Sequence, residues 1–80
     1  MGVRNRVVAA VVEVCGSDPE VLADDATLDT LGIDSLDLLE IAVAVEQEFD
    51  VEVDAEAFEG VRTFGQAVAV FERMVAASSE

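Results

Sequence analysis

The sequence predicts a small all-α domain: a four-helix bundle of three main helices and one short helix, with a long first loop. Three observations carry this. Apolar residues recur every three or four positions in three separate stretches. Gly, Asp, Ser and Pro punctuate the segments between them. The 80 residues are 52% hydrophobic yet include only four Phe and no Trp or Tyr, so Ala, Val and Leu must supply most of the core. That apolar share is too high for a disordered chain. A chain this short buries only ~60% of the surface its unfolded form exposes. There is room for one domain over residues 1–80, and little for an enzyme's enclosed active site.

The first helix runs from about Val3 to Cys15. Val7, Val11, Val14 and Cys15 recur with helical spacing, and Val8 and Val12 widen that face. The β-branched run lowers helix propensity, but period and length favour a helix over a strand. Gly16-Ser17-Asp18-Pro19 ends it. Residues 17–34 read as a long connection anchored by Val21, Leu22, Leu28 and Leu31, with turns at Asp24-Asp25-Ala26-Thr27 and Leu31-Gly32. A loop this long in so small a domain is often functional. The second helix begins near Ser35 and runs to about Phe49. Asp34 or Ser35 caps it, and Asp37 lies in its first turn, where the helix dipole favours an acid.

This helix has more apolar surface than one packing face requires. Leu38, Ile41 or Ala42, Val45 and Phe49 make one stripe; Leu36, Leu39 and Val43 make another, bordered by Glu40, Glu46 and Gln47. A small bundle buries one face of each helix, which leaves the second stripe for a partner. After an extended link, Asp54 to Glu59 forms one or two helical turns ended by Gly60. Thr63 caps the last helix, which runs to about Ala77. Its residues Phe64, Ala67, Val68, Phe71 and Val75 trace a strongly amphipathic face.

Eighteen acids oppose four bases, all Arg, for a formal net charge of −14. Such a chain repels phosphate backbones and anionic membranes, which excludes nucleic-acid binding and points to partners with basic patches. No stretch is long and apolar enough to span a bilayer, so membrane insertion is not expected. Neither a secretory leader nor a myristoylation motif is expected, since Arg6 stands where the latter needs Ser or Thr. The lone Cys15 reads as a core residue. The acids do not form the Asp-x-Asp-x-Asp-Gly loop of a calcium site. With no His and no Lys, the chain lacks the base and nucleophile pair of a self-contained enzyme. A cytoplasmic monomer is expected.

The decisive run is Leu31-Gly32-Ile33-Asp34-Ser35-Leu36-Asp37-Leu38-Leu39-Glu40: a serine at a helix start, after a long loop, between two acids and beside leucines. It resembles the phosphopantetheine attachment site of acyl carrier proteins, whose core is Asp-Ser-Leu. The resemblance continues in Glu46-Gln47-Glu48-Phe49-Asp50-Val51-Glu52-Val53, in Arg62-Thr63-Phe64 and in the spacing from Arg6-Val7 to Ser35, so it covers nearly the whole chain.

The resemblance implies a carrier, not an enzyme, of the discrete type that serves fatty-acid or polyketide synthesis. The implied cofactor is 4'-phosphopantetheine, taken from coenzyme A and attached to Ser35 beside Asp34 and Leu36, with Asp34 read by the phosphopantetheinyl transferase and Leu36 on the docking stripe. Asp37, Glu40, Val43 and Glu46 would meet the basic docking patches of that enzyme, of ketosynthases, of acyltransferases and of other acyl-processing enzymes. Ala42, Val45, Val53, Phe58, Val61, Val68 and Phe71 would enclose the acyl chain. Physics agrees at Ser35: a helix N-terminus exposes the hydroxyl, and its free amides and dipole suit a phosphodiester. Two features depart from the family's pattern. Asp54 follows Val53 where fatty-acid carriers commonly have Pro, and Phe58 is large where a small residue is expected. Ile33 stands where peptidyl carriers usually have Gly, which favours an acyl cargo. The alternatives are an aminoacyl or peptidyl carrier of a nonribosomal pathway, and an unmodified acidic helical adaptor.

Overall fold

Helix α1 (Val3–Cys15) starts without a side-chain cap, so packing rather than propensity holds its valine-rich sequence helical in the computed structural model, which describes residues 2–78. Val7, Ala10 and Val11 are its buried face; Val14 and Cys15 are half-buried. Gly16 closes it in the left-handed conformation, at φ 69°, and donates its N–H to the Val12 carbonyl at 2.9 Å.

The connection that follows is more ordered than its sequence predicts. It contains a 3₁₀ turn, Pro19–Val21, and a one-turn helix α2, Leu28–Leu31. Side-chain caps cause both. Asp18 accepts the Glu20 N–H at 3.0 Å, and Thr27 accepts the Thr30 N–H at 3.2 Å. Of the expected anchors, Leu22 and Leu28 are buried and Leu31 is half-buried. Val21 is not an anchor: the 3₁₀ turn directs it outward, leaving it 51% exposed. Ile33 is buried in its place.

The loop is also fastened to the start of helix α4 (Phe64–Ser78). Leu28 N–H donates to the Arg62 carbonyl at 2.8 Å, Phe64 N–H to Ala26 at 2.9 Å and Gly65 N–H to Asp24 at 3.0 Å. The approach is so close that a Cβ on Gly65 would stand 2.9 Å from both the Cβ and the carbonyl oxygen of Asp24.

Helix α3 (Ser35–Phe49) buries Ile41, Ala42 and Val45. It ends at Asp50, which adopts a left-handed φ of 54°. The link returns under Glu46, whose carboxylate accepts the Val53 N–H at 2.8 Å. A second 3₁₀ turn, Ala55–Phe58, stands where the short helix is expected, started by an Asp54 cap. In α4, Thr63 accepts the Gln66 N–H at 3.2 Å, while the Gln66 side chain accepts the Arg62 and Thr63 N–H groups. Phe64, Ala67, Val68, Val70 and Phe71 are buried. The interior formed by α1, α3 and α4 holds no buried polar or charged side chain among the described residues. Two arginines are committed to the surface near the N-terminus. Arg4 pairs with Asp24 at 2.6 Å and Arg6 with Glu48 at 3.2 Å.

Candidate functional site

Asp34 takes the cap of α3 and leaves Ser35 as the first helical residue. The Asp34 carboxylate accepts the Asp37 N–H at 2.9 Å, and the Asp37 carboxylate accepts the Asp34 N–H at 3.2 Å. This reciprocal box holds the first turn and leaves the Ser35 hydroxyl unoccupied. Ser35 is exposed and its side chain makes no hydrogen bond among the described residues. The Ser35 and Leu36 amides, at the first two helical positions, have no carbonyl within the helix to bond. A phosphodiester on the hydroxyl would therefore lie beside free N–H groups at the positive end of a 15-residue helix. Those features fit a phosphopantetheine arm joined through phosphate.

The surplus stripe is on the surface. Leu36 is 64% exposed, Leu39 48% and Val43 49%. Glu40 lies exposed beside them. Asp37 and Glu46 are only half-buried, and each has an oxygen engaged by a backbone N–H. Asp37 thus adds a backbone bond to the first-turn role its position predicts, and Glu46 has a structural task that its position did not reveal.

Two cavities open beside Ser35. One, of about 320 Å³, is walled mainly by apolar side chains: Leu38, Leu39, Ala42, Val53 and Phe58, with Ser35 and Glu59 as its polar members. The other, of about 560 Å³, is more polar, with Thr27, Asp29, Asp34 and Arg62 in its wall alongside Leu28, Ile33 and Val61. Ser35, Leu38 and Phe58 border both. Of the seven expected pocket residues, Ala42, Val53, Phe58 and Val61 reach a cavity wall. Val45 of α3 and Val68 and Phe71 of α4 do not line either cavity, because they are buried in the closed core that these two helices form with α1. The sequence reading missed Leu38, Leu39 and Glu59. Their only signal was the stripe spacing for the two leucines, and for Glu59 its place beside Phe58.

Cys15 is half-buried at the end of α1. Burial pushes its thiol pKa up, and the carboxylates of Asp37, Asp34 and Glu40 push it further the same way. The end of α1 therefore shares the electrostatic field of the start of α3. Among the described residues, no helix is long and apolar enough to cross a membrane.

A family model described as a phosphopantetheine attachment site matches residues 5–71. An acyl carrier protein of Phenylobacterium zucineum (strain HLK1) is 43% identical over 67 residues, which cover 82% of this chain and 85% of the relative. One from Caulobacter vibrioides (strain NA1000 / CB15N) is 44% identical over 64 residues, covering 79% and 82%. In fold, the chain is similar to the 3,7-dioxo-octyl actinorhodin acyl carrier protein from Streptomyces coelicolor, with a TM-score of 0.70 at 24% identity over 95% of this chain and 88% of the other. On these matches, the chain belongs to the phosphopantetheine-attachment family of acyl carrier proteins, carriers of acyl groups whose cofactor is 4'-phosphopantetheine.

Proposed function

We propose that Ser35 is the attachment point of the arm, and that the chain carries acyl intermediates of fatty-acid or polyketide synthesis between separate enzymes. The observation that carries this reading is the division of labour at the start of α3: Asp34 caps the helix, so the Ser35 hydroxyl is exposed and uncommitted. When bound, the cofactor supplies a long tether and a thiol that holds the acyl group as a thioester. The chain's own residues supply position and recognition. Asp34 and Asp37 fix the turn that presents Ser35, and Leu36 stands beside it for the transferase to read. The base and metal that activate the hydroxyl belong to the transferase, in keeping with a chain that has no His and no Lys.

The docking surface in this reading is the exposed stripe of Leu36, Leu39 and Val43 with Glu40 at its edge, facing basic patches on the transferase, on ketosynthases and on acyltransferases. Asp37 and Glu46 contribute charge there while holding the backbone. A stripe that must stay open to several partners favours a monomer as the working form. The single free thiol, Cys15, suits the reducing cytoplasm. Ile33, buried against the core, fills a place where peptidyl carriers usually have Gly, which supports an acyl rather than an aminoacyl cargo. The test is intact mass after incubation with coenzyme A and a phosphopantetheinyl transferase. Addition of one arm is the expected result; an unchanged mass with a transferase active on a control carrier would reject the reading.

A further inference from the structure

We propose that Phe58 is the partition that sets how long an acyl chain this carrier can shelter; the inference rests on the carrier reading above. Ser35 lies at the junction of two compartments, and the only other residues bordering both are Leu38 and Phe58. Leu38 is fixed on α3, whereas Phe58 ends the 3₁₀ turn that faces it. The Phe58 ring packs on Phe71 with centroids 4.9 Å apart and a 54° tilt, and Phe71 is wholly buried. That contact holds the ring as a wall rather than a loose side chain.

The two sides of the wall differ in chemistry. An alkyl chain leaving Ser35 gains by entering the apolar compartment. The wall of the other also carries Asp29, Asp34 and Arg62, exposed groups whose hydration an alkyl chain beside them would disturb. The apolar compartment is also finite. At roughly 30 Å³ per methylene-sized group, the space a water molecule takes in liquid, its 320 Å³ accommodates about ten carbons. Carbons beyond that meet Phe58 or return to water. Removing the ring would join the compartments and let a longer chain run along Leu28, Ile33 and Val61, the apolar part of the second compartment's wall.

The experiment loads wild type, Phe58→Ala and Phe58→Leu at Ser35 with saturated chains from four to sixteen carbons. It records the melting temperature of each relative to its own apo form, and the rate at which hydroxylamine cleaves the thioester. In wild type, the gain in melting temperature and the protection from hydroxylamine should rise up to about ten carbons and then level off. In Phe58→Ala both should keep rising to sixteen carbons, with several-fold slower cleavage of the longest chain than in wild type. Phe58→Leu should fall between, and it decides the matter alone if the alanine variant does not fold. Superimposable profiles in the folded proteins overturn the proposal and leave the carrier reading intact. Failure of wild type to accept any chain, read by intact mass, overturns both.

Discussion

Gly65→Ala should destabilise this protein, against the sign that helix propensity alone predicts. Gly65 is the second residue of α4, and replacing a helical Gly by Ala ordinarily gains about 1 kcal/mol. Here the added Cβ would meet Asp24 at 2.9 Å from its Cβ, 2.9 Å from its carbonyl oxygen and 3.2 Å from its Cα. Carbon atoms in good contact sit about 3.5–4.0 Å apart, so the loop and the helix must separate by roughly half an ångström. All three atoms are on or next to the backbone and cannot swing aside. The separation stretches the Gly65 N–H bond to Asp24 and strains the Phe64–Ala26 and Leu28–Arg62 bonds beside it. At about 1 kcal/mol for each bond weakened, less the propensity gain, the net loss is about 1–2 kcal/mol. For a domain this small, each kcal/mol lowers the melting temperature by about 4–8 °C. Urea unfolding followed by far-ultraviolet circular dichroism measures it directly. Ala69→Gly, at an exposed position of the same helix, calibrates propensity and should cost about 1 kcal/mol by itself. If Gly65→Ala instead stabilises by the amount Ala69→Gly costs, the first loop is not pressed against α4 and the reasoning fails.

Three further outcomes are expected. Asp34→Ala removes the acceptor of the Asp37 N–H and should cost about 1 kcal/mol, whereas Asp34→Asn should retain most of that in the same urea titration. Leu36→Ala and Glu40→Lys touch only exposed positions, so each should change stability by no more than about 0.5 kcal/mol while lowering kcat/KM with partner enzymes; unfolding, or unchanged kinetics, would remove the docking role from this face. Cys15, its thiol pKa raised in the fold, should alkylate more slowly than a free thiol near neutral pH and accelerate only as alkali ionises it. Because the neutral thiol is favoured in the folded state, its contribution to stability is complete below the unfolded thiol's pKa and is lost as pH rises through the folded value; Cys15→Ala should remove that alkaline loss in unfolding measured against pH.

What could be read from the chain itself follows from which forces are local. Val3–Cys15 and Ser35–Phe49 have the bounds their apolar periods predict, because Gly16, free to adopt the left-handed conformation, marks the end of one and the capping pair Asp34-Ser35 marks the start of the other. The 3₁₀ turn at Pro19 and helix α2 carry the same kind of mark in Asp18 and Thr27, yet each is a single turn, too short to show a period. Val21 and Leu22 are adjacent and equally apolar, so only the direction of the turn decides which is buried. The closeness of Gly65 to Asp24 is wholly tertiary: a helical glycine in a sequence does not say what presses on it. The same holds for the cavity. The spacing that places Val45, Val68 and Phe71 inside the bundle cannot distinguish a cavity wall from a closed core, and α1 closes over them. The exposed helix start at Ser35 was legible because its setting is local, with two acids and a leucine around a serine; which of Asp34 and Ser35 takes the cap was settled only by the fold.

The most direct test of the central claim is peptide-level mass spectrometry of the protein after reaction with coenzyme A and a phosphopantetheinyl transferase, run beside Ser35→Ala. Ser35 sits exposed at the first position of α3 with its hydroxyl unbonded among the described residues, and the sequence has three other serines, Ser17, Ser78 and Ser79, none within an Asp-Ser-Leu run. The arm should be found on the peptide containing Ser35 alone, and Ser35→Ala should remain unmodified while keeping its helical spectrum. An arm on any other serine, or undiminished modification of folded Ser35→Ala, would contradict the account.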